Sequence, residues 1–129
     1  MNTEELMIGD WVKISHLNKI GKVYRIDRAN GKGNGFAAVI DGDYYEGNLE
    51  PIPLTSEILE KNGFEYKGKE LGLYGVTIAP HYVRDDVPFE VFCDGEPFAI
   101  WFKEPINIKY IHQLQHALRL CEIKKEIEL

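Results

Sequence analysis

Two short alternating segments near the start of the chain constrain its fold more than any other feature. Residues 9–14 read Gly-Asp-Trp-Val-Lys-Ile, so a Gly-Asp turn leads into a strand with Val12 and Ile14 on one face. Residues 21–28 predict a second strand, but Val23 and Ile26 stand three residues apart, which breaks a period of two. Small barrels use a bulge or sharp bend of this kind to turn corners. The first third of the chain therefore predicts a small β-barrel.

Turn signals delimit the remaining strands of this barrel. Residues 30–35 carry three glycines and predict a hairpin tip. A third strand over residues 36–40 ends at an Asp-Gly turn signal, and the next strand, with two adjacent tyrosines, finishes near Leu49. The Pro-Ile-Pro segment at 51–53 excludes both helix and central strand. We therefore expect a domain boundary after residue 53.

The second half of the chain predicts antiparallel strands with a helix at each end. Thr55 is suited to cap a short helix that follows it. Alternating segments at 64–67 and 70–79 predict one hairpin, and those at 87–94 and 98–103 predict another. The expected fold class is α+β. An SH3-like β-barrel occupies residues 1–53, and an α+β unit over 54–129 has an antiparallel sheet covered by a C-terminal helix.

Alternation and helical periodicity also predict two separate cores. In the barrel we expect one buried cluster of Val12, Ile14, Val23, Ile26 and Val39. In the second unit we expect another buried cluster with Leu114, Leu118 and Phe102, and Phe98 and Ile100 are expected on the same strand face as Phe102. Residues 108–121 predict a helix whose buried stripe is formed by Tyr110, Leu114, Ala117, Leu118 and Cys121.

Composition and charge limit the classes of protein to consider. The 129 residues are 44% hydrophobic and 28% charged, as in ordinary globular proteins. A net charge of −6 opposes general adhesion to nucleic acid or anionic membranes. The apolar runs are too short to span a bilayer, and the acidic start of the chain does not have a signal-peptide pattern. We expect a cytoplasmic protein, without membrane association, whose Cys93 and Cys121 are buried free thiols; one disulfide is the alternative.

Two segments of the second half carry a resemblance to a known group of proteins. Residues 51–55 read Pro-Ile-Pro-Leu-Thr, Asn-Gly-Phe follows at 62–64, and residues 111–118 read Ile-His-Gln-Leu-Gln-His-Ala-Leu. They resemble an uncharacterised family of small proteins from gut Bacteroidetes, their prophages and mobile elements, in which the same hinge, turn and His-x-Leu-Gln helix recur. The likeness spans about residues 6–129 and implies no established activity.

The two barrel strands carry a second resemblance. The patterns Gly-Asp-x-Val at 9–12 and Gly-x-Val-x-x-Ile at 21–26 resemble SH3-like barrels of the KOW type. This likeness covers about residues 7–50 and implies binding of RNA. The chain departs from that pattern between the strands, where His-Leu-Asn-Lys stands at 16–19 instead of a glycine with basic residues.

His112 and His116 have the i, i+4 spacing of a helical zinc site. A zinc hydrolase of the His-Glu-x-x-His type needs a carboxylate base, but Gln113 stands at that position and an amide cannot accept a proton. Both histidines fall opposite the predicted apolar stripe, and no third ligand is apparent. We therefore expect a solvated face here and no metal or other cofactor.

A basic run between residues 13 and 32 is the candidate nucleic-acid site. Its six cations surround Tyr24 and are opposed within the run by Asp27 alone. They are Lys13, Lys19, Lys22, Arg25, Arg28 and Lys32. Such a run can contact phosphates, although strand-edge lysines also serve to block edge pairing.

Two further clusters are expected to have no chemical role. The glycine-rich residues 31–35 lead into a strand, whereas a phosphate-binding loop leads into a helix. The acids between 85 and 96 belong to loops and turns that nothing brings together, and no serine or cysteine lies in a nucleophile motif.

These observations predict a binding protein and not an enzyme. The interpretation that we favour is a non-enzymatic protein-interaction module, phage or mobile-element encoded. The alternative is a nucleic-acid accessory protein that uses the basic face of the second strand, and an enzyme of unidentified class ranks third. No catalytic residue is identified.

Overall fold

The computed structural model describes residues 6–28, 36–45, 48–67, 70–71, 77–78, 81–93, 97–101 and 104–129. Antiparallel sheets combine with two α-helices over these ranges, which confirms the α+β class. The chain divides into two compact units, Met1–Ile52 and Pro53–Leu129. Over the same ranges, every helix is too short or too polar to cross a membrane.

The first unit is built from short strands and one turn of 3-10 helix at Ser15–Leu17. Its strands are β1 (Trp11–Ile14), β2 (Lys19–Lys22), β3 (Arg25–Arg28), β4 (Phe36–Ile40), β5 (Asp43–Tyr45) and β6 (Leu49–Glu50). They form two antiparallel sheets, in the orders β2–β1–β6 and β3–β4–β5. Within the described residues neither sheet closes on itself.

One bent run of chain supplies a strand to each of these sheets. β2 and β3 are separated only by Val23 and Tyr24, where the three-residue spacing predicts a bend. The Val23 N–H donates to the Asp10 carbonyl over 2.9 Å, which extends the pairing of β1 with β2. The Tyr24 N–H donates to the Val39 carbonyl over 2.8 Å, which extends the pairing of β3 with β4. The chain therefore passes from one sheet to the other across a single peptide link.

The predicted continuous strand that ends near Leu49 is instead two strands in different sheets. β5 pairs with β4, whereas β6 pairs with β1 through Ile14 opposite Leu49. Asn48, just before β6, adopts a left-handed φ of 59°, and its carbonyl accepts the Ser15 N–H. The left-handed conformation of Asn48 turns the chain towards β1. The pattern of hydrophobic residues does not predict such a turn.

Side chains from both sheets form one buried cluster in the first unit. Its members are Leu6, Val12, Ile14, Val23, Ala38, Ile40, Tyr45 and Leu49. Val12, Ile14 and Val23 confirm the predicted core, and Ile26 packs against its margin. The prediction is wrong for Val39, which is buried outside this cluster, because Ala38 and Ile40 occupy the core side of the alternating strand.

The second unit contains a short helix, several short strands and a longer helix. In chain order they are α1 (Ser56–Lys61), β7 (Glu65–Lys67), β8 (Glu70–Leu71), β9 (Thr77–Ile78), β10 (His81–Val83), β11 (Glu90–Phe92), β12 (Phe98–Trp101), β13 (Glu104–Asn107) and α2 (Ile111–Leu120). Five of the strands form an antiparallel sheet in the order β13–β12–β11–β10–β7, and β8 pairs with β9.

The first hairpin predicted for this unit is wrong. Among the described residues, β7 pairs with β10, whereas β8, which begins at Glu70, pairs with β9. Tyr66 lies opposite Tyr82, with ring centroids 5.3 Å apart, so the pairing brings two aromatic side chains into contact across the strands. The Gly-Lys pair at 68–69, on which the prediction rested, lies outside the described residues.

The second predicted hairpin is confirmed, but the buried face of β12 is not the one that carries Phe98. β11 pairs with β12 with Val91 opposite Ala99, and both residues are buried. Phe98 is therefore exposed on the other face, where its ring stacks on that of Phe92 at 5.0 Å. Alternation along the strand permits either face to point inward, and the register with β11 selects Ala99. Phe102 lies outside the described residues.

Local hydrogen bonds begin both helices. The Ile58 N–H donates to Thr55 Oγ1 over 3.3 Å, so Thr55 caps α1 as predicted. The Tyr110 N–H donates to the Gln113 side chain over 3.1 Å at the start of α2. α2 buries Leu114, Ala117 and Leu118 of the predicted stripe.

A buried amide fastens residues 123–129 to α1. The Asn62 side chain donates to the Glu128 carbonyl and accepts the Glu128 N–H, both over 2.7 Å. Lys61 Nζ also donates to the carbonyl of Leu129, and Ile127 is buried. One asparagine thus pairs with the backbone of this segment as a neighbouring strand would.

Candidate functional site

A groove in the first unit is the candidate functional site. It has a volume of about 730 Å³. We call it the Tyr24 groove, and its main lining residues are Ile8, Lys22, Tyr24, Arg25, Val39 and Asp41. Ile8 is 63% exposed and Tyr24 is 73% exposed, so two large apolar side chains stand open to solvent in one depression.

A tight turn before β1 places Ile8 at the groove. The carboxylate of Asp10 accepts the Met7 N–H over 2.8 Å, and the Asp10 N–H donates to the Met7 carbonyl. Gly9 has a φ of 93°, which side-chain-bearing residues rarely adopt. The Gly-Asp pair therefore has a definite local role: the buried Asp10 holds the turn and leaves Ile8 at its exposed tip.

The pairing of β3 with β4 determines which side chains form the middle of the groove. Arg25 lies directly opposite Val39, so both side chains are on the face of the second sheet that points away from the core cluster. Tyr24 precedes them at the bend. The β4–β5 turn closes this side with Asp41 and Gly42, whose φ values of 52° and 87° are those of a two-residue type I′ hairpin.

Charged contacts surround the apolar part of the groove. The Arg25 Nε lies 2.8 Å from one Asp27 carboxylate oxygen and 3.0 Å from the other. Lys22 Nζ stands 5.1 Å from the centre of the Trp11 ring, within the range of a cation–π contact. Lys19 bonds to Asp41 over 2.8 Å, and this hydrogen bond together with the carboxylate charge raises the pKa of Lys19 above its ordinary value.

The structure brings together some members of the predicted basic run. Lys22 and Arg25 both line the Tyr24 groove. Lys19 is not part of the lining, but it is paired with Asp41, which is. Lys13 lies on β1 opposite Ile20 and Glu50, away from the groove lining. The side chain of Arg28 and the whole of Lys32 lie outside the described residues.

The structure corrects the predicted environment of the two histidines of α2. His112 was expected on a solvated face but is only 2% exposed, whereas His116 is half-buried. The His112 ring stacks on Tyr110 at 6.0 Å and meets His116 edge-on at 5.6 Å, so its own neighbours along the chain cover part of it. Across the described ranges, no cluster of three or more potential metal ligands is found.

The acidic cluster and the two cysteines of the second unit form no reactive site among the described residues. Asp86 pairs with Arg84, whose hydrogen bond lowers the pKa of that carboxyl, and Arg84 also lies 5.0 Å from the Phe64 ring. The acidic residues Asp94 and Glu96 and the glycine-rich residues 31–35 lie outside the described residues. Cys93 and Cys121 are half-buried free thiols, and burial raises the pKa of each.

Sequence reasoning missed most of the groove. It noted Tyr24 among cations, but it did not single out Ile8 and it assigned Val39 to the core. The available signal was weak: an isoleucine before a Gly-Asp turn and a tyrosine between Lys22 and Arg25 at the predicted bend. No protein-family model, curated protein or solved structure matches the chain.

Proposed function

We propose that this protein is a non-enzymatic protein-interaction module that binds a partner through the Tyr24 groove. The observation that carries the proposal is the joint exposure of Ile8 and Tyr24 in one depression. Aromatic and aliphatic side chains of this kind anchor protein interfaces because burial on binding removes their apolar surface from water. The polar and charged residues around them are suited to form a rim.

The groove is better suited to binding than to catalysis. Its lining residues include two cations and one carboxylate but no histidine, cysteine or serine. The carboxylate of Asp41 is paired with Lys19 Nζ over 2.8 Å. Histidine is the residue that most often acts as a general acid or base in enzymes, and this lining lacks it.

A matched affinity experiment tests the proposed function. The double variant Ile8→Ala/Tyr24→Ala removes both exposed anchors, and Leu17→Ala, a half-exposed residue outside the groove lining, is the control. Wild-type and variant proteins, checked for equal thermal stability, are used to capture proteins from a lysate of the source organism. We expect the captured partner to fall at least about tenfold for the groove variant and to be unchanged for the control. Equal capture by all three proteins would contradict the proposal.

One observation favours a second candidate function, the binding of single-stranded nucleic acid. Lys22 and Arg25 line the same groove as the exposed Tyr24 ring. Proteins that bind single strands combine cations for the phosphates with aromatic rings on which bases stack. The net charge of −6 and the carboxylates of Asp27 and Asp41 beside these cations make this the second choice.

Three finer aspects of the interpretation are also proposals. The two three-stranded sheets that share one bent segment support an SH3-like barrel over residues 1–53. The buried apolar face of α2 supports a helix that covers the sheet of the second unit. The likeness of residues 51–64 and 111–118 to the mobile-element family supports a phage or mobile-element origin. The free thiols of Cys93 and Cys121 support a cytoplasmic location.

A further inference from the structure

We infer that the end of α1 forms a second binding site, for an extended peptide segment with the pattern cation-x-aliphatic-x-aliphatic, and that residues 123–129 occupy it as an intramolecular ligand. The inference is independent of the Tyr24 groove, because every residue that carries it belongs to the second unit. It follows from the contacts of Asn62, the alternation of burial along the bound segment and the backbone conformation of Glu122.

The buried side chain of Asn62 binds the backbone of the segment. Its nitrogen donates to the Glu128 carbonyl and its oxygen accepts the Glu128 N–H, both over 2.7 Å. The same nitrogen also donates to the Ile58 carbonyl, and the Asn62 carbonyl accepts a bond from Arg84 over 2.9 Å, so contacts within the unit orient this residue. Main-chain bonds of this kind hold any extended segment, and the side-chain contacts then select among segments.

Burial along the segment alternates with the period of an extended strand. Ile127 is only 2% exposed and Leu129 is half-buried, whereas Glu126 and Glu128 are exposed. Lys61 Nζ donates to the Leu129 carbonyl, which fixes the backbone beyond the anchor. The segment is therefore held by one buried aliphatic side chain, a second partly buried one and backbone bonds between them.

The charges beside the segment favour a cation two residues before the anchor. Lys125 lines a depression of about 290 Å³. Three carboxylates line it as well, those of Glu65, Asp85 and Asp86. Arg84 pairs with Asp86 over 2.5 Å and Lys67 lies 3.8 Å from Glu65, so these carboxylates exceed their own cations by one negative charge. Lys125 balances that charge, and an arginine in the same place would do so too.

The backbone of Glu122 favours release of the segment from this site. The Ile123 N–H donates to the Leu118 carbonyl and the Glu122 N–H to the Arg119 carbonyl, which is the Schellman pattern at the end of a helix. Glycine is the usual residue at the left-handed position of this motif, but Glu122 stands there with a φ of 59°. Release of the segment relieves this strain, so the bound and released states are closer in free energy than the contacts alone would make them.

Hydrogen exchange of the wild-type protein tests whether the segment leaves its site without unfolding of the unit. The Glu128 N–H is bonded to Asn62, so it exchanges when the segment is released. We expect it to exchange at least about tenfold faster than the Leu118 amide inside α2, with little dependence on urea. Equal rates with the same urea dependence would show that the segment opens only with the whole unit, which overturns the inference.

A peptide supplied in trans tests the ligand pattern. The probe is an acetylated peptide with the sequence of residues 122–129, and its control is a peptide of the same composition in which the lysines and isoleucines exchange places. Both are titrated into the full-length, isotope-labelled Ile127→Ala variant, whose own segment has lost its anchor. We expect the probe to shift the side-chain amide signals of Asn62 and to bind at least about tenfold more tightly than it binds wild type, because the released fraction sets the apparent affinity. The control peptide should shift neither signal.

Two double variants provide matched controls in the same helix. Adding Glu122→Gly to Ile127→Ala should weaken binding of the probe, since glycine adopts the left-handed conformation without strain and keeps the segment in place. Adding Leu120→Ala, at a side chain that is 76% exposed, should leave binding unchanged. If Ile127→Ala does not fold, Ile127→Val, which removes one methyl group, takes its place. Equal binding of probe and control peptides to the folded variant, or no shift of the Asn62 signals, overturns the inference.

Discussion

Gly21 in β2 occupies a position where only hydrogen fits. A Cβ atom built there would overlap Cγ2 of Ile40, which is fully buried in the core cluster. The requirement is steric, since the neighbouring atom belongs to a packed branched side chain that cannot move freely. The sequence predicted a strand through Gly21 and a bend from the spacing of Val23 and Ile26. The close approach of Gly21 to Ile40 was not predicted, because it depends on a residue in β4.

Gly21→Ala should lower the free energy of unfolding by about 1–3 kcal/mol, because Ile40 must shift in a closely packed core. Urea denaturation monitored by circular dichroism measures the change. In an Ile40→Ala background the overlapping atom is absent, so the same substitution should cost less than it does in the wild type. Strictly additive losses in this double-mutant cycle would show that the two positions do not compete for space.

The two thiols should react slowly in the folded protein. Burial raises the pKa of both Cys93 and Cys121, so a smaller fraction is thiolate at a given pH, and the thiolate is the reactive form. We expect alkylation by iodoacetamide to be slower in the native state than in urea at neutral pH, and the native rate to increase as the pH approaches the raised values. Peptide mass spectrometry reports each cysteine separately. Equal rates in the native and unfolded protein would contradict the expected protection.

His112 shows why the environment of a single residue is harder to predict than the stripe of a helix. A helical projection places a residue by its angle and counts only apolar neighbours on the same face. Here the rings of Tyr110 and His116 lie against His112, and both come from its own segment. The apolar stripe of α2 was predicted correctly at Leu114 and Leu118, because apolar residues at helical spacing are buried together on one face.

At the scale of elements, α2 provides a direct comparison of its two faces. Leu114 is fully buried and Leu120 is 76% exposed on the same helix. Leu114→Ala should lower the free energy of unfolding by about 2–5 kcal/mol, because it removes buried methyl groups and leaves a cavity. Leu120→Ala should change it by no more than about 0.5 kcal/mol, since this side chain is already in contact with water. Chemical denaturation of both variants measures the difference, and similar losses would mean that the helix buries another face.

Strand pairing explains which elements the sequence predicted and which it did not. The hairpins of β4 with β5 and β11 with β12 are local, and turn residues mark both of them. The pairing of β7 with β10 and of β1 with β6 joins distant segments, and no turn residue specifies such a partner. Register and packing between side chains decide these pairings, and a single strand does not contain that information.

For the whole molecule, the distribution of charge predicts weak binding to nucleic acid. Two of the candidate cations, Lys19 and Arg25, are paired with Asp41 and Asp27, and the net charge is −6. We expect a dissociation constant for mixed-sequence DNA or RNA of about 10⁻⁴ M or weaker at physiological salt. Fluorescence anisotropy with a labelled oligonucleotide measures it. Submicromolar binding that Lys22→Glu/Arg25→Glu abolishes would make nucleic-acid binding the first choice.

The Tyr24 groove is formed by segments that lie far apart in the sequence, so the sequence did not reveal it. Its lining combines the turn before β1, the bend after β2 and the end of β4, segments separated by up to about thirty residues. Each segment was interpreted correctly as a turn, bend or strand, but their convergence follows from the pairing of two sheets. The cations were visible as a run in the sequence; the apolar residues between them in space were not.

The single peptide link at which the chain changes sheets also determines how the first unit can open. The amides of Val23 and Tyr24 bond to Asp10 and Val39, so each sheet is tied to the same pair of residues. Separation of either sheet from this link also removes one wall of the groove. We expect these two amides to exchange with deuterium at one common rate, governed by cooperative opening of the unit, and to be slower than the amides of Leu17 and Asn18. A partner that fills the groove would then slow hydrogen exchange on both sheets at once, far beyond the residues it touches.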